Sequence, residues 1–177
     1  EINGVADPAD PSDPRVTRAR CRAFREAIRG LDATRPVGCG NIMGMEAAEE
    51  KSGVLDDLDV IGWNYFGLYA RMKALRPEKP VVCTESASAL SSSGYYDNPP
   101  APSKSAFATN AVEIDSYDRT FGPDIPDQEF ARMARDRYCA GEFVWTGIDY
   151  LGEPAPYGRE ARSAYFGCCA LMGFPKD

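Results

Sequence analysis

Four times along the chain a short apolar run ends in polar or aromatic side chains, each run reached through a helix-forming stretch. That alternation limits the fold more than any other feature. Asp13-Pro14 reads as an N-cap with proline at the first helical position. Val16, Ala19, Ala23, Phe24, Ala27, Ile28 and Leu31 then recur at three- and four-residue steps, which predicts an amphipathic helix ending near Gly30. Arg15, Arg18, Arg22, Arg25 and Arg29 occupy its other faces and read as a solvated surface. Strands are expected over 35–41, 58–65, 79–85 and 141–146, with intervening helices over 45–52, 68–75 and 127–138. Such an order favours a parallel α/β sheet covered on at least one side.

The ends of these strands gather Asn41, Asn64-Tyr65, Glu85, and Trp145 with Asp149. In barrels and open α/β sheets the C-terminal strand ends carry the site, because the βα loops converge there. A complete eight-stranded barrel takes about 250 residues. With 177 residues and four strand-helix units, the economical reading is half a barrel, and an open doubly wound sheet is the runner-up. Residues 91–126 lack periodicity and hold the runs SSSG and NPPAP, so they read as a long loop on the rim of the site.

Composition removes several classes of chemistry. The chain has no histidine, which excludes Ser-His and Cys-His mechanisms and histidine-ligated metals within these residues. It has 20 Lys+Arg against 27 Asp+Glu, a net charge of −7 without a basic run, which argues against nucleic acid as a partner. No apolar stretch approaches the roughly 20 residues of a membrane span. The six cysteines, Cys21, Cys39, Cys83, Cys139, Cys168 and Cys169, show no metal-type spacing and read as free thiols. Opening on Glu1 rather than Met, the chain is expected to be part of a larger protein, and its compartment, cytoplasmic or secreted, stays open.

Carboxylates are then the available acid/base groups. Glycosidic cleavage uses two, one protonating the leaving oxygen and one acting as nucleophile or base, about 5–5.5 Å apart for retention. Glu85 at a strand end suits one of these roles, although a glutamate there, taken alone, more often makes a surface salt bridge. Trp145 fits a platform under a sugar ring or a place in the core. Asp149 fits a sugar-hydroxyl acceptor or a helix cap.

The ordered strings decide among these. Residues 58–65 (LDVIGWNY), 79–95 (KPVVCTESASALSSSGY), 141–157 (GEFVWTGIDYLGEPAPY) and 163–177 (SAYFGCCALMGFPKD) resemble the catalytic TIM barrel of glycoside hydrolase family 2, its β-galactosidases above all. The likeness runs over nearly the whole chain, in order. It implies that residues 1–177 are the C-terminal half of a (β/α)8 barrel, about strands 5–8. It implies a retaining exo-glycosidase that removes terminal β-galactosyl residues through a covalent glycosyl-enzyme. The siblings β-glucuronidase and β-mannosidase are the alternatives, and a glucuronidase would need cations for the sugar carboxylate, which none of these strings obviously supplies.

On this resemblance Glu85 is the nucleophile. Tyr65 hydrogen-bonds near it, and a phenol there favours the charged carboxylate. Asn64, Tyr65, Trp145 and Asp149 make up the substrate-binding set. The family places its acid/base in an Asn-Glu pair followed by Ile or Val, which falls on Glu1-Ile2, so Glu1 is the expected acid/base. Ser93 stands where relatives often carry arginine. The reaction implies no cofactor, with a divalent cation in a longer parent left open. The expected partners are a β-galactoside or oligosaccharide, the preceding half-barrel and β-sandwich domains, and a second copy in a homo-oligomer. A lone half barrel would leave two sheet edges and an apolar inner face open, so the isolated chain is expected to be nearly inactive, at most a weak sugar-binding module.

Overall fold

The computed structural model describes residues 14–41, 50–65, 67–90, 104–105, 119–120, 126–152 and 163–176. The fold is mixed α/β with a parallel sheet. The chain divides into two compact units, Glu1–Glu85 with Arg135–Glu142, and Ser86–Ala134 with Phe143–Asp177. Among the described residues no helix is long and apolar enough to cross a membrane.

The first unit is built on strands β1 (Gly38–Asn41), β2 (Val60–Asn64) and β3 (Val81–Ser86), which run parallel side by side. The first residues of β7 (Cys139–Val144) complete the order β1-β2-β3-β7. Helix α1 (Pro14–Leu31) precedes β1, while α2 (Val54–Asp57) lies between β1 and β2 and α3 (Tyr69–Leu75) between β2 and β3, so both of these parallel steps have their crossover. Ile61, Trp63, Val81 and Cys83 are fully buried, as are Val54, Leu55, Tyr69 and Met72 from the helices. Burial of each such side chain contributes about 1.5–3 kcal/mol. Lys79 donates to the carbonyls of Leu55, Asp56 and Leu58 at 2.7, 2.6 and 2.6 Å, placing a cation on the C-terminal turn of α2, where its orphan acceptors need one.

The sheet packs closely enough to demand glycine. A Cβ on Gly62 would run into the Cys39 carbonyl and the Thr84 methyl, and one on Gly38 would stand 2.8 Å from the Val60 carbonyl. These small residues let neighbouring strands approach where a side chain would hold them apart.

Helix α1 is oriented opposite to expectation. Phe24, Ile28 and Leu31, assigned to the core from their spacing, are 49%, 44% and 93% exposed, and Ala19, Ala23 and Ala27 are exposed too. The arginine side docks instead. Arg18 holds Asp57 at 2.6 and 3.2 Å, and Arg22 reaches the same carboxylate at 2.8 and 3.1 Å. Arg25 and Arg29 bind Asp59 at 2.7 and 2.8 Å, and Asp59 also accepts the Val37 N–H at 2.9 Å. Buried Thr17 and Cys21 lie on that side. Two carboxylates just before β2 select the helix face: Arg18 and Arg22 each meet Asp57 with two bonds, and Arg25 and Arg29 take one oxygen of Asp59 each.

The second unit contains a three-stranded sheet, β4 (Ala89–Leu90), β6 (Arg119–Thr120) and β5 (Lys104–Ser105), in that order. Two of these strands fall in the segment read as a plain loop, since a two-residue strand is too short to show periodicity. The rest of 91–126, Ser93 included, lies outside the described residues, as does most of the helix expected over 45–52. Helix α4 (Pro126–Arg135) ends three residues earlier than its apolar spacing suggests, before a turn that leads into β7. A hairpin of β8 (Tyr150–Leu151) and β9 (Ser163–Ala164) carries a small core of Ala164 and Phe166, against which Trp145, Tyr150 and Tyr165 pack. None of the six cysteines forms a disulfide, and Cys21, Cys83 and Cys139 are buried.

Candidate active site

Glu85 sits at the end of β3 because the strand pairing slips there. Trp63 pairs with Cys83 but Asn64 pairs with Glu85, so Thr84 is the extra residue of a bulge. On strict alternation Glu85 would share the buried face of Val81 and Cys83. The bulge re-aims it, and it stands half-exposed.

Tyr65 meets it from the end of β2. Its phenol donates to Glu85 Oε1 and its backbone N–H donates to the Glu85 carbonyl at 2.7 Å. Tyr65 holds φ at 64°, in the left-handed region that a bulky residue enters at a cost of about 1–2 kcal/mol. Ala87, two residues beyond Glu85, holds φ at 57°. A left-handed backbone at a bulky residue such as Tyr65 is a strained state of the kind that concentrates at functional sites.

Asn64 is buried, and its Oδ1 accepts the Thr84 hydroxyl at 2.7 Å. Asn41, at the end of β1, donates to the Gly62 carbonyl at 2.8 Å. The two asparagines and Thr84 tie the ends of β1, β2 and β3 together beneath the Tyr65–Glu85 pair. Thr84, Ala87 and the bulge carry no motif of their own in the sequence; only the adjacency of Thr84 to Glu85 could have drawn attention to them.

Trp145 and Asp149 belong to the second unit. Trp145 follows β7, half-buried, with its N–H on the Ser86 carbonyl at 2.8 Å and its ring edge-on to Tyr150 at 6.0 Å. The Trp145–Thr146 peptide is cis. Asp149 is buried, and its Oδ1 accepts Gly167 N–H at 2.9 Å and Lys176 Nζ at 2.6 Å. The structure therefore brings Asn64, Tyr65 and Glu85 together in one unit and Trp145 and Asp149 in the other. Glu1 lies outside the described residues. Among the described residues no cluster of three or more Cys, Asp or Glu side chains could hold a metal ion.

Chemically, a half-exposed carboxylate that accepts a phenol hydrogen bond on one oxygen is oriented at the end of its strand. A hydrogen bond to the charged form also stabilises it. That is what a nucleophilic carboxylate requires.

No family model matches the sequence. The chain is 42% identical over 161 residues to the β-galactosidase BoGH2A of Bacteroides ovatus, a stretch covering 85% of this chain and 19% of that protein. The chain belongs to glycoside hydrolase family 2. The fold of this family 2 chain also matches a crystal structure of a Bacteroides uniformis β-glucuronidase, with a TM-score of 0.58 over 96% of this chain and 20% of that one. A second match, with a TM-score of 0.57 and the same coverage, is β-glucuronidase 2 of that organism covalently bound to cyclophellitol-6-carboxylate aziridine. Both are 16% identical to the family 2 chain, a level at which the likeness concerns the fold alone. The chain spans about a fifth of the length of the relatives it matches.

Proposed function

We propose that this chain carries the nucleophile side of a retaining exo-β-galactosidase. The observation that carries the reading is the 42% identity with a β-galactosidase across 85% of the chain. The phenol of Tyr65 on the carboxylate of Glu85 supports the role assigned to each. In this reading the β1-β2-β3-β7 sheet supplies about strands 5–8 of a (β/α)8 barrel, residues 1–177 are part of its catalytic domain, and 91–126 borders the sugar site.

Glu85 attacks the anomeric carbon of a terminal β-galactosyl unit while the bond to the aglycone oxygen breaks. A carboxylic acid, Glu1 on the family register, gives its proton to that oxygen. The glycosyl ester on Glu85 is then displaced by water, whose proton returns to Glu1, and the two inversions restore the β configuration. Tyr65 holds Glu85 through both steps, Trp145 supplies a flat face for the sugar, and Asn64 and Asp149 complete the polar surroundings. The isolated 177-residue chain is nearly inactive in this account, because among the described residues β1 and β7 are the outer strands of a sheet of four, half of what a closed barrel needs.

The test is labelling of the full-length gene product with 2-deoxy-2-fluoro-β-galactosyl fluoride, followed by peptide mapping. The fluorine slows hydrolysis of the ester, so a retaining nucleophile keeps the sugar. A label on Glu85 is expected. Labelling only by the glucuronyl counterpart would reassign the substrate in line with the fold relatives, and a folded protein unlabelled by either would overturn the reading.

A further inference from the structure

Lys176 lies near the end of the described chain, yet its side chain is 3% exposed and its partner Asp149 is 5% exposed. An ammonium withdrawn from water this far needs a carboxylate and further acceptors, and Lys176 has both. Its Nζ stands 2.6 Å from Asp149 Oδ1 and 3.2 Å from the Tyr165 carbonyl. Such pairs return little net stability because desolvation offsets the attraction, while fixing which segments meet.

The segments fixed here run side by side. Thr146 N–H donates to Phe166 O at 3.2 Å, Cys168 N–H to Thr146 O at 2.8 Å, Cys169 N–H to Gly147 O at 3.0 Å and Asp149 N–H to Cys169 O at 2.9 Å. Lys176 N–H then donates to Cys168 O at 3.0 Å, adding the last segment. Gly167 has no room for a Cβ against Ile148 and Asp149, so the layers touch directly. Trp145 begins the first of these segments. Its backbone is held at Ser86, next in sequence to Glu85, and its indole leans on the Ala164–Phe166 cluster and on Tyr150.

We propose that Lys176 is a positioning residue for the sugar site: its buried ion pair with Asp149 clamps segment 146–149 and so sets the indole of Trp145. The inference rests on the glycosidase reading above, in which Trp145 faces the sugar, and adds a residue that need not touch it. Without the clamp the Trp145 platform loosens, which weakens binding of the galactosyl ring more than it slows bond cleavage.

The experiment uses the full-length gene product, with the fraction of competent sites titrated by the fluorogalactosyl probe. Per titrated site, K176M is expected to raise KM about tenfold while kcat changes by less than about threefold, the pattern of lost binding shared by ground and transition states. K176R, which keeps the cation, restores most of the loss. In a W145A background K176M adds less than about twofold, since linked residues are not additive. Amide hydrogen exchange rises in 145–151 and 166–170 and not in the first unit. Should K176M not fold, K176Q, whose amide still donates to Asp149, carries the same measurements with a smaller shift. A wild-type KM per titrated site, or an undiminished effect in W145A, would overturn the clamp while leaving the labelled nucleophile standing. Absence of labelling in the wild type would overturn the glycosidase reading and this inference with it.

Discussion

Tyr65 addresses Glu85 twice, through its phenol to the carboxylate and through its backbone N–H to the carbonyl at 2.7 Å. The two residues are 20 positions apart, and the bulge at Thr84 together with the left-handed backbone of Tyr65 makes the double contact possible. Removing the phenol tests its part in the chemistry. Y65F should lower kcat by about 10²–10³-fold, the usual loss for one preorganised donor at a reacting group, with KM changed far less. Steady-state kinetics and the rate of fluorosugar labelling read the effect, and a wild-type kcat would remove Tyr65 from the mechanism.

Glu85 itself has a sharper signature. E85A should abolish hydrolysis of galactosides, and added azide should restore turnover of an activated aryl galactoside by entering the space left by the carboxylate. The product of that rescued reaction would be the α-galactosyl azide, since only one inversion then occurs. Recovery of a β-configured azide by NMR would show that the attacking group lies elsewhere.

The docking of α1 makes stability depend on acid. The Arg18 guanidinium, with help from Arg22, lowers Asp57 to about 2, and the Val37 N–H followed by Arg25 and Arg29 holds Asp59 lower still. Both folded-state values lie below the ordinary carboxylate range. The stabilisation is therefore complete above about pH 4, where the unfolded groups are ionised, and is lost as pH falls toward and through 2. Denaturant midpoints should decline over that window for the wild type and decline less for D57N/D59N. A parallel decline in both proteins would assign acid sensitivity to other carboxylates.

Ala87 tests the strained backbone after Glu85. Glycine is at ease at φ 57°, so A87G should leave stability unchanged or raise it by up to about 1 kcal/mol, the relief being partly offset by the freer unfolded chain. A87V, placing a branched side chain on a buried left-handed residue, should cost about 2–3 kcal/mol. Chemical denaturation of both variants measures the contrast, and equal stabilities would show that the backbone there relaxes freely.

Gly62 and Gly30 form a matched pair. At Gly62 a methyl group would collide with the Cys39 carbonyl and the Thr84 side chain, and G62A should cost at least about 2 kcal/mol. At Gly30, inside α1, a Cβ meets nothing within 4 Å, and G30A should stabilise the chain by about 0.5–1 kcal/mol. Thermal unfolding orders the three proteins, and a G62A protein as stable as the wild type would show that the strands can part.

The sequence alone determined the helix-strand order, the cores of β1, β2, β3 and β7, and which strand ends carry Asn64-Tyr65 and Glu85. Local backbone preference and apolar spacing write those features into adjacent residues. Its ordered strings also carried the family. What the tertiary structure decided were contacts between distant polar groups: the arginines of α1 against Asp57 and Asp59, Tyr65 against Glu85, and Lys176 against Asp149. Spacing told that α1 has two faces, and it pointed to the apolar one, because hydrophobic periodicity is blind to carboxylates that a later loop brings alongside. Asp149, read as a sugar contact or a cap, meets Lys176 only because three segments stack over Gly167, and nothing within a few residues of either announces the other. Charge pairs depend on register and loop geometry across the whole fold, which no window of sequence contains.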